Sequence, residues 1–127
     1  MNSPDVTDAA KPANDRPTDR PEMVVLAELA DQLIADLAHH HSGRTARTVL
    51  TGESMRATVI ALKAGTELAE HDAPPAATLF CITGEVTLRS EERSLPLYPG
   101  QLVPIPPVRH AVEAHADSAI LLTVALK

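Results

Sequence analysis

Apolar positions along this chain change period near Gly43. From Glu22 to about His41, Leu26, Leu29, Ala30, Leu33, Ile34 and Leu37 recur at spacings of three and four, while Glu28, Asp31, Gln32 and Asp36 fill the other side. That spacing predicts an amphipathic helix of about five turns. Pro21 suits its first turn and Ser42-Gly43 its C-terminal stop. Beyond Gly43 the period drops to two. Strands are predicted over Arg44 to Thr51, Met55 to Lys63, Thr78 to Thr83, Glu85 to Ser90, Ser94 to Leu97, Gln101 to Ile105, Ala111 to Ala114 and Ala119 to Leu126. Turn signals separate them, among them Gly52-Glu53-Ser54, Asp72 to Pro75, Pro99-Gly100 and Pro106-Pro107. Short strands at this spacing predict an all-β sandwich or barrel.

Residues 1–21 have neither period. Four prolines stand among polar and charged residues, and Val6 is the only large aliphatic side chain after Met1. Such a segment cannot bury enough apolar surface to offset its ordering entropy and is expected to be a disordered tail. The organisation expected is therefore a tail over 1–21, a helix over 22–42 and one β-barrel domain over 43–127. A single helix with one apolar stripe must pack on something, either the barrel wall or a partner subunit.

Composition narrows the function classes. A chain of 127 residues is one domain with one modest core. It has no Trp, one Phe (Phe80) and one Tyr (Tyr98), so the core rests on aliphatic residues. Base stacking has little to work with. A formal charge of −6 argues against binding phosphate backbones. The lone Cys81 allows no intramolecular disulfide and fits a reducing compartment. No apolar run reaches the roughly 20 residues of a membrane span, and the N-terminus lacks a secretory signal pattern. The expectation is a soluble cytoplasmic protein with no nucleic-acid or membrane partner.

Two stretches carry the chemistry. The first runs from Gly65 through His71 to Gly84, and the second from Gly100 through Pro106 to His110. Together they resemble the two signature motifs of the cupin family of small β-barrels. The first motif has a glycine, a histidine six residues later and a closing glycine, which Gly65, His71 and Gly84 match. Its second histidine position is Ala73, and its glutamate position falls on Ala77 or Thr78. In the second motif Gly100 and Pro106 match, Val108 stands in place of a glycine, and His110 arrives one residue early. A loop one residue shorter keeps His110 in the family's histidine place. The resemblance covers about Met55 to Lys127.

That resemblance implies a double-stranded β-helix, or jelly-roll barrel, preceded by the amphipathic helix, and small cupins commonly form homodimers. It also implies a metal site of three histidines and a carboxylate holding Fe, Mn, Ni, Cu or Zn. Of that set His71 and His110 remain, so they are the candidate ligands for one divalent metal. Glu70 and Asp72 flank His71, but neighbouring strand residues point to opposite faces. Parity puts Ala77, Leu79 and Cys81 on one face, which would line an aliphatic pocket with His71 and His110 as its polar points. Cys81 stands either as a thiolate or as an inert core residue. Arg109, beside His110, has the planar fork that clamps a carboxylate at a barrel mouth.

Other residues are weaker candidates. His39-His40-His41 closes the helix, where consecutive positions lie about 100° apart, so three imidazoles cannot converge on one ion. Arg47 and Arg56 lie on early strands, Glu113 and His115 alternate with apolar neighbours, and Glu91-Glu92-Arg93 has the composition of a charged hairpin tip. No catalytic triad series, phosphate-cradling glycine loop or paired-cysteine motif is present. Three functions stay open: a barrel binding a small organic molecule through His71 and His110; a metal-dependent oxygenase or isomerase with a reduced ligand set; and an inert barrel whose helix and tail dock a partner. The residues at Ala73 and Ala77 favour the first.

Overall fold

The structure, a computed structural model, describes residues 23–70 and 74–126, with the backbone alone at residue 70. The expected tail, Pro21 and His71 lie outside the described residues. Among those described, nine strands follow one helix: β1 (Arg44–Thr51), β2 (Met55–Leu62), β3 (Glu67–Glu70), β4 (Ala77–Thr83), β5 (Val86–Ser90), β6 (Ser94–Leu97), β7 (Leu102–Pro104), β8 (His110–Ala114) and β9 (Ser118–Ala125). They form a five-stranded sheet ordered β1-β2-β9-β4-β7 and a four-stranded sheet ordered β3-β8-β5-β6. Every pairing is antiparallel. The two sheets close on each other as a jelly roll.

The hydrophobic pattern explains which sheet is covered twice. Strands β2 and β9 read as nearly continuous apolar runs because both of their faces are buried. On the inner face, Ile60, Leu62 and Ile120 join Leu79, Cys81, Val86, Leu88 and Val112 in the core between the sheets. On the opposite face, Val59 and Ala61 lie under Leu29, Leu33 and Leu37, with Leu121, Ile82 and Val49 packed alongside. The four-stranded sheet alternates instead. Val86 and Leu88 face in, while Thr87 and Arg89 face out. Glu67 of β3 and Glu113 of β8 stand directly opposite each other, and Arg89 ion-pairs with both.

Helix α1 (Leu26–Asp36) runs on into a 3-10 turn over Leu37–His39, so it is shorter than the span read from the sequence. Met23 to Val25 are not helical. Val25 caps the helix in an extended conformation, φ −89° and ψ 101°, and Val24 and Val25 are β-branched residues that lose side-chain freedom in a helix. The buried stripe of Leu29, Leu33 and Leu37 is covered by the chain's own sheet. It therefore does not call for a second copy. His39, His40 and His41 are all exposed, with His40 Nε2 2.8 Å from Asp36 Oδ2.

Half of the ends of the expected strands coincide with the observed ones and the rest differ by one residue, and β3 is a strand that the residue pattern does not predict. β3 (Glu-Leu-Ala-Glu) carries no β-branched or aromatic residue, and only Leu68 packs against the core. Its pairing with β8 holds it in place, a long-range contact that local propensity does not register. No helix among the described residues is long and apolar enough to cross a membrane.

Candidate functional site

The motif glycines are backbone devices. Gly65, Gly84 and Gly100 all have φ near 90°, where L side chains are strained. At Gly84 space is also lacking: an added Cβ would lie 2.2 Å from Ser118 Oγ and 2.7 Å from Ser118 Cα. Ser118 is fully buried, accepts the Glu85 N–H at 3.0 Å and donates to Ala116 O at 2.7 Å. In the sequence it falls just before the last expected strand; its burial comes from its place against Gly84 in space. The two motif stretches meet at Cys81, whose N–H donates to Gln101 O at 2.9 Å and whose carbonyl accepts the Gly100 N–H at 2.8 Å.

Along β4 the inner face is as parity predicts. Leu79 and Cys81 are fully buried, and Ala77 is half-buried against the same core. Among the described residues the Cys81 thiol has distant carbonyl acceptors, Thr83 O at 3.6 Å and Gly84 O at 3.8 Å. Burial pushes its pKa above the ordinary 9.0, so at neutral pH it is a neutral thiol. That environment suits an inert core residue and not a nucleophile or thiolate ligand.

His110 differs from its surroundings. It opens β8 on the face shared with Val112 and Ala114 and is only 5 % exposed. In the ladders it pairs with residue 70 of β3 on one side and Ser90 of β5 on the other. Its Nδ1 lies 2.9 Å from Val108 O, an acceptor only, so Nδ1 carries the proton and donates. In its neutral form the ring presents Nε2 as a bare lone pair, and no partner for it stands among the described residues. Ser118 and His110 are the buried polar side chains described; Ser118 is satisfied, and His110 keeps one acceptor in reserve.

An open cavity of about 780 Å³ lies at this end of the barrel. Its floor is apolar core, with Leu88, Leu95, Val103 and Ile105, and one wall is the proline loop of Pro106, Pro107 and Val108. Glu91, Glu92 and Arg93 border it from the β5–β6 hairpin, and Arg109 borders it from the loop before β8. Ser90, the ladder partner of His110, also lines it. Of the sequence candidates, Arg109 thus lies on the cavity and His110 beside it. Leu79, Cys81 and Ala77 belong to the core beneath, and Arg47 and Arg56 are exposed on β1 and β2. The hairpin tip does not stand out as a site in the sequence; the cavity it borders is made by its own strands β5 and β6 together with the stretch from Val103 to Arg109.

The motif positions do not carry the full set of three histidines and a carboxylate. Ala73 and Ala77 have no donor atoms to offer. Among the described residues no group of three or more His, Cys, Asp or Glu is placed to hold an ion.

No protein-family profile and no curated protein matches the chain. Solved structures do match. A cupin superfamily protein from Desulfitobacterium hafniense superposes with a TM-score of 0.62 at 12 % identity, over 66 % of this chain and 78 % of its own. An RmlC-like cupin from Desulfovibrio desulfuricans gives a TM-score of 0.58 at 23 % identity, over 65 % and 81 %. A salicylate 1,2-dioxygenase from Pseudaminobacter salicylatoxidans gives 0.63 at 16 % identity over 76 % of this chain, which spans only 33 % of that enzyme. Likeness at these identities is a likeness of fold, and the paired antiparallel sheets, the glycine turns and the buried histidine at the start of β8 agree with it: this chain is a small protein of the cupin fold.

Proposed function

We propose that the protein binds a small organic molecule at the barrel mouth, with His110 as the buried polar anchor and His71, at the motif's histidine position, as a second. The observation that carries this reading is the His110 ring: buried, oriented by its bond to Val108 O, and left with Nε2 as an acceptor. An unmet buried acceptor costs about 1–3 kcal/mol, which an O–H or N–H donor on a ligand offsets. The adjoining cavity falls within the roughly 300–1,000 Å³ typical of small-molecule sites, and its apolar floor suits an organic body. Among the described residues His110 bonds Val108 O and Cys81 bonds Thr83 O and Gly84 O, so neither is paired as an acid–base or nucleophilic couple there, and binding is the reading proposed.

A protein-observed NMR screen of neutral fragments against wild type and His110→Asn tests it. The Asn amide keeps a donor for Val108 O but removes the acceptor at the ring's far nitrogen. Fragments that perturb amides of 88–93 and 105–110 are expected to bind the variant about tenfold more weakly. Equal binding to both proteins overturns the anchor. A second arm measures metal per chain in protein purified without a nickel column and with His39, His40 and His41 replaced by Ala. Near one equivalent, lost in His110→Asn, would replace this reading with a metal-centred one.

A further inference from the structure

The rim of the cavity carries charges of both signs. Glu91, Glu92 and Arg93 stand on the β5–β6 hairpin, and Arg109 stands on the loop before β8. All four are exposed, and among the described residues none forms an ion pair, although Arg89, two residues before Glu91, pairs with two carboxylates. The hairpin holds itself in place through its backbone, with the Ser90 N–H donating to Arg93 O at 2.9 Å, so its acidic side chains have no structural duty in that turn. Beside the hairpin, Arg109 is the charged residue that the proline loop contributes, one residue before His110, which pairs with Ser90. Opposite charges that border one cavity and form no ion pair among the described residues leave room for a ligand that meets both.

We propose that the cavity selects a small zwitterion, with a carboxylate directed to Arg109, an ammonium directed to Glu91 and Glu92, and an apolar body against Leu88, Leu95, Val103 and Ile105. This deepens the binding reading above and rests on it. The charge count decides between ligand classes. Two carboxylates and two guanidiniums make the rim neutral overall, so a simple anion meets repulsion from the hairpin and a simple cation meets it from Arg93 and Arg109. A molecule carrying both groups uses the planar fork of Arg109 for its carboxylate and the acidic tip for its amine. The class so described is that of free amino acids with apolar side chains.

Isothermal titration and amide chemical-shift mapping on the full chain test this with four probes of one shape: L-leucine, 3-methylbutylamine, 4-methylpentanoate and neutral 4-methylpentanamide. The expected result is that L-leucine binds at least about tenfold more tightly than the amine or the acid, with shifts confined to 88–93 and 105–110. Arg109→Gln and a Glu91→Gln/Glu92→Gln double variant should each lower leucine affinity about tenfold and bring it towards that of the corresponding single-charge probe. If the acid binds as well as leucine and the double Gln variant strengthens it, the site is an anion site and the zwitterion proposal is wrong. If the amine binds as well as leucine, it is overturned in the opposite sense. If only the amide binds, with shifts at His110, the charge argument fails while the neutral-ligand reading stands. If none binds and neutral fragments also fail, both fall together.

Discussion

Replacing Gly84 with alanine separates two costs that can be worked out independently from the structure. The first is conformational: at φ 90° a β-carbon strains the backbone by about 1–2 kcal/mol. The second is steric, because the new methyl would lie 2.6 Å from Ser118 Cβ and 2.7 Å from Ser118 Cα. Those are not flexible side-chain ends, so β9 itself must shift and disturb the Ser118 bonds to Glu85 and Ala116. Overpacking of this kind costs about 1–3 kcal/mol, which brings the total for Gly84→Ala to about 2–5 kcal/mol. Gly65 supplies the control, with the same φ of 90° and nothing within 4 Å of the place an alanine methyl would take. Gly65→Ala should therefore lose only the conformational term, about 1–2 kcal/mol. Equilibrium urea unfolding followed by circular dichroism reads both variants against wild type with a common m-value. Equal losses would refute the steric argument and, with it, the claim that Gly84 is required by the approach of β9.

Three further outcomes follow from the packing and the charges. Leu33→Ala should cost about 2–4 kcal/mol in urea unfolding, because Leu33 is 4 % exposed beneath α1 against Val59 and Ala61; a loss below about 1 kcal/mol would mean that the helix does not dock as described. Arg89→Met leaves Glu67 and Glu113 facing each other unneutralised, and should cost about 1 kcal/mol at low salt, less at high salt, with Glu113→Gln in the same chain recovering most of it. Burial raises the Cys81 pKa in the folded protein, so the folded state holds its proton where the unfolded chain releases it. Its contribution is whole below the ordinary thiol pKa of 9.0 and is lost as pH rises beyond it. Wild type should thus lose stability above about pH 9 more steeply than Cys81→Ala, as read by urea midpoints across roughly pH 7 to 10.5.

Much of the barrel is legible in the residue pattern. β1 and β6 fall on the expected spans, and parity along β4 groups Ala77, Leu79 and Cys81 as the structure does, because a half-buried strand writes its inner face into alternate residues. The helix is shorter than its pattern suggests because Met23, Val24 and Val25 extend an apolar run without extending the stripe; the structure leaves them exposed. β3 has no local signature because pairing with β8, and not its own composition, makes it a strand. The candidate site divides in the same way. Motif spacing is enough to name His110, whereas the choice of which ring nitrogen carries the proton depends on where Val108 O falls. The rim formed by Glu91, Glu92 and Arg93 with Arg109 comes from the pairing of β5 with β8, which brings the β5–β6 hairpin beside the proline loop and which no local pattern records.

At the centre of the proposed function is a His110 ring that holds its Nε2 open for a ligand. Long-range ¹H–¹⁵N correlation of the imidazoles at neutral pH, before and after saturation with a fragment that binds at the mouth, reads that nitrogen directly. The expected result is a ring protonated at Nδ1, with an unprotonated Nε2 that shifts on binding as it accepts a hydrogen bond. A ring protonated at Nε2, or an Nε2 resonance unmoved at saturation, would contradict it.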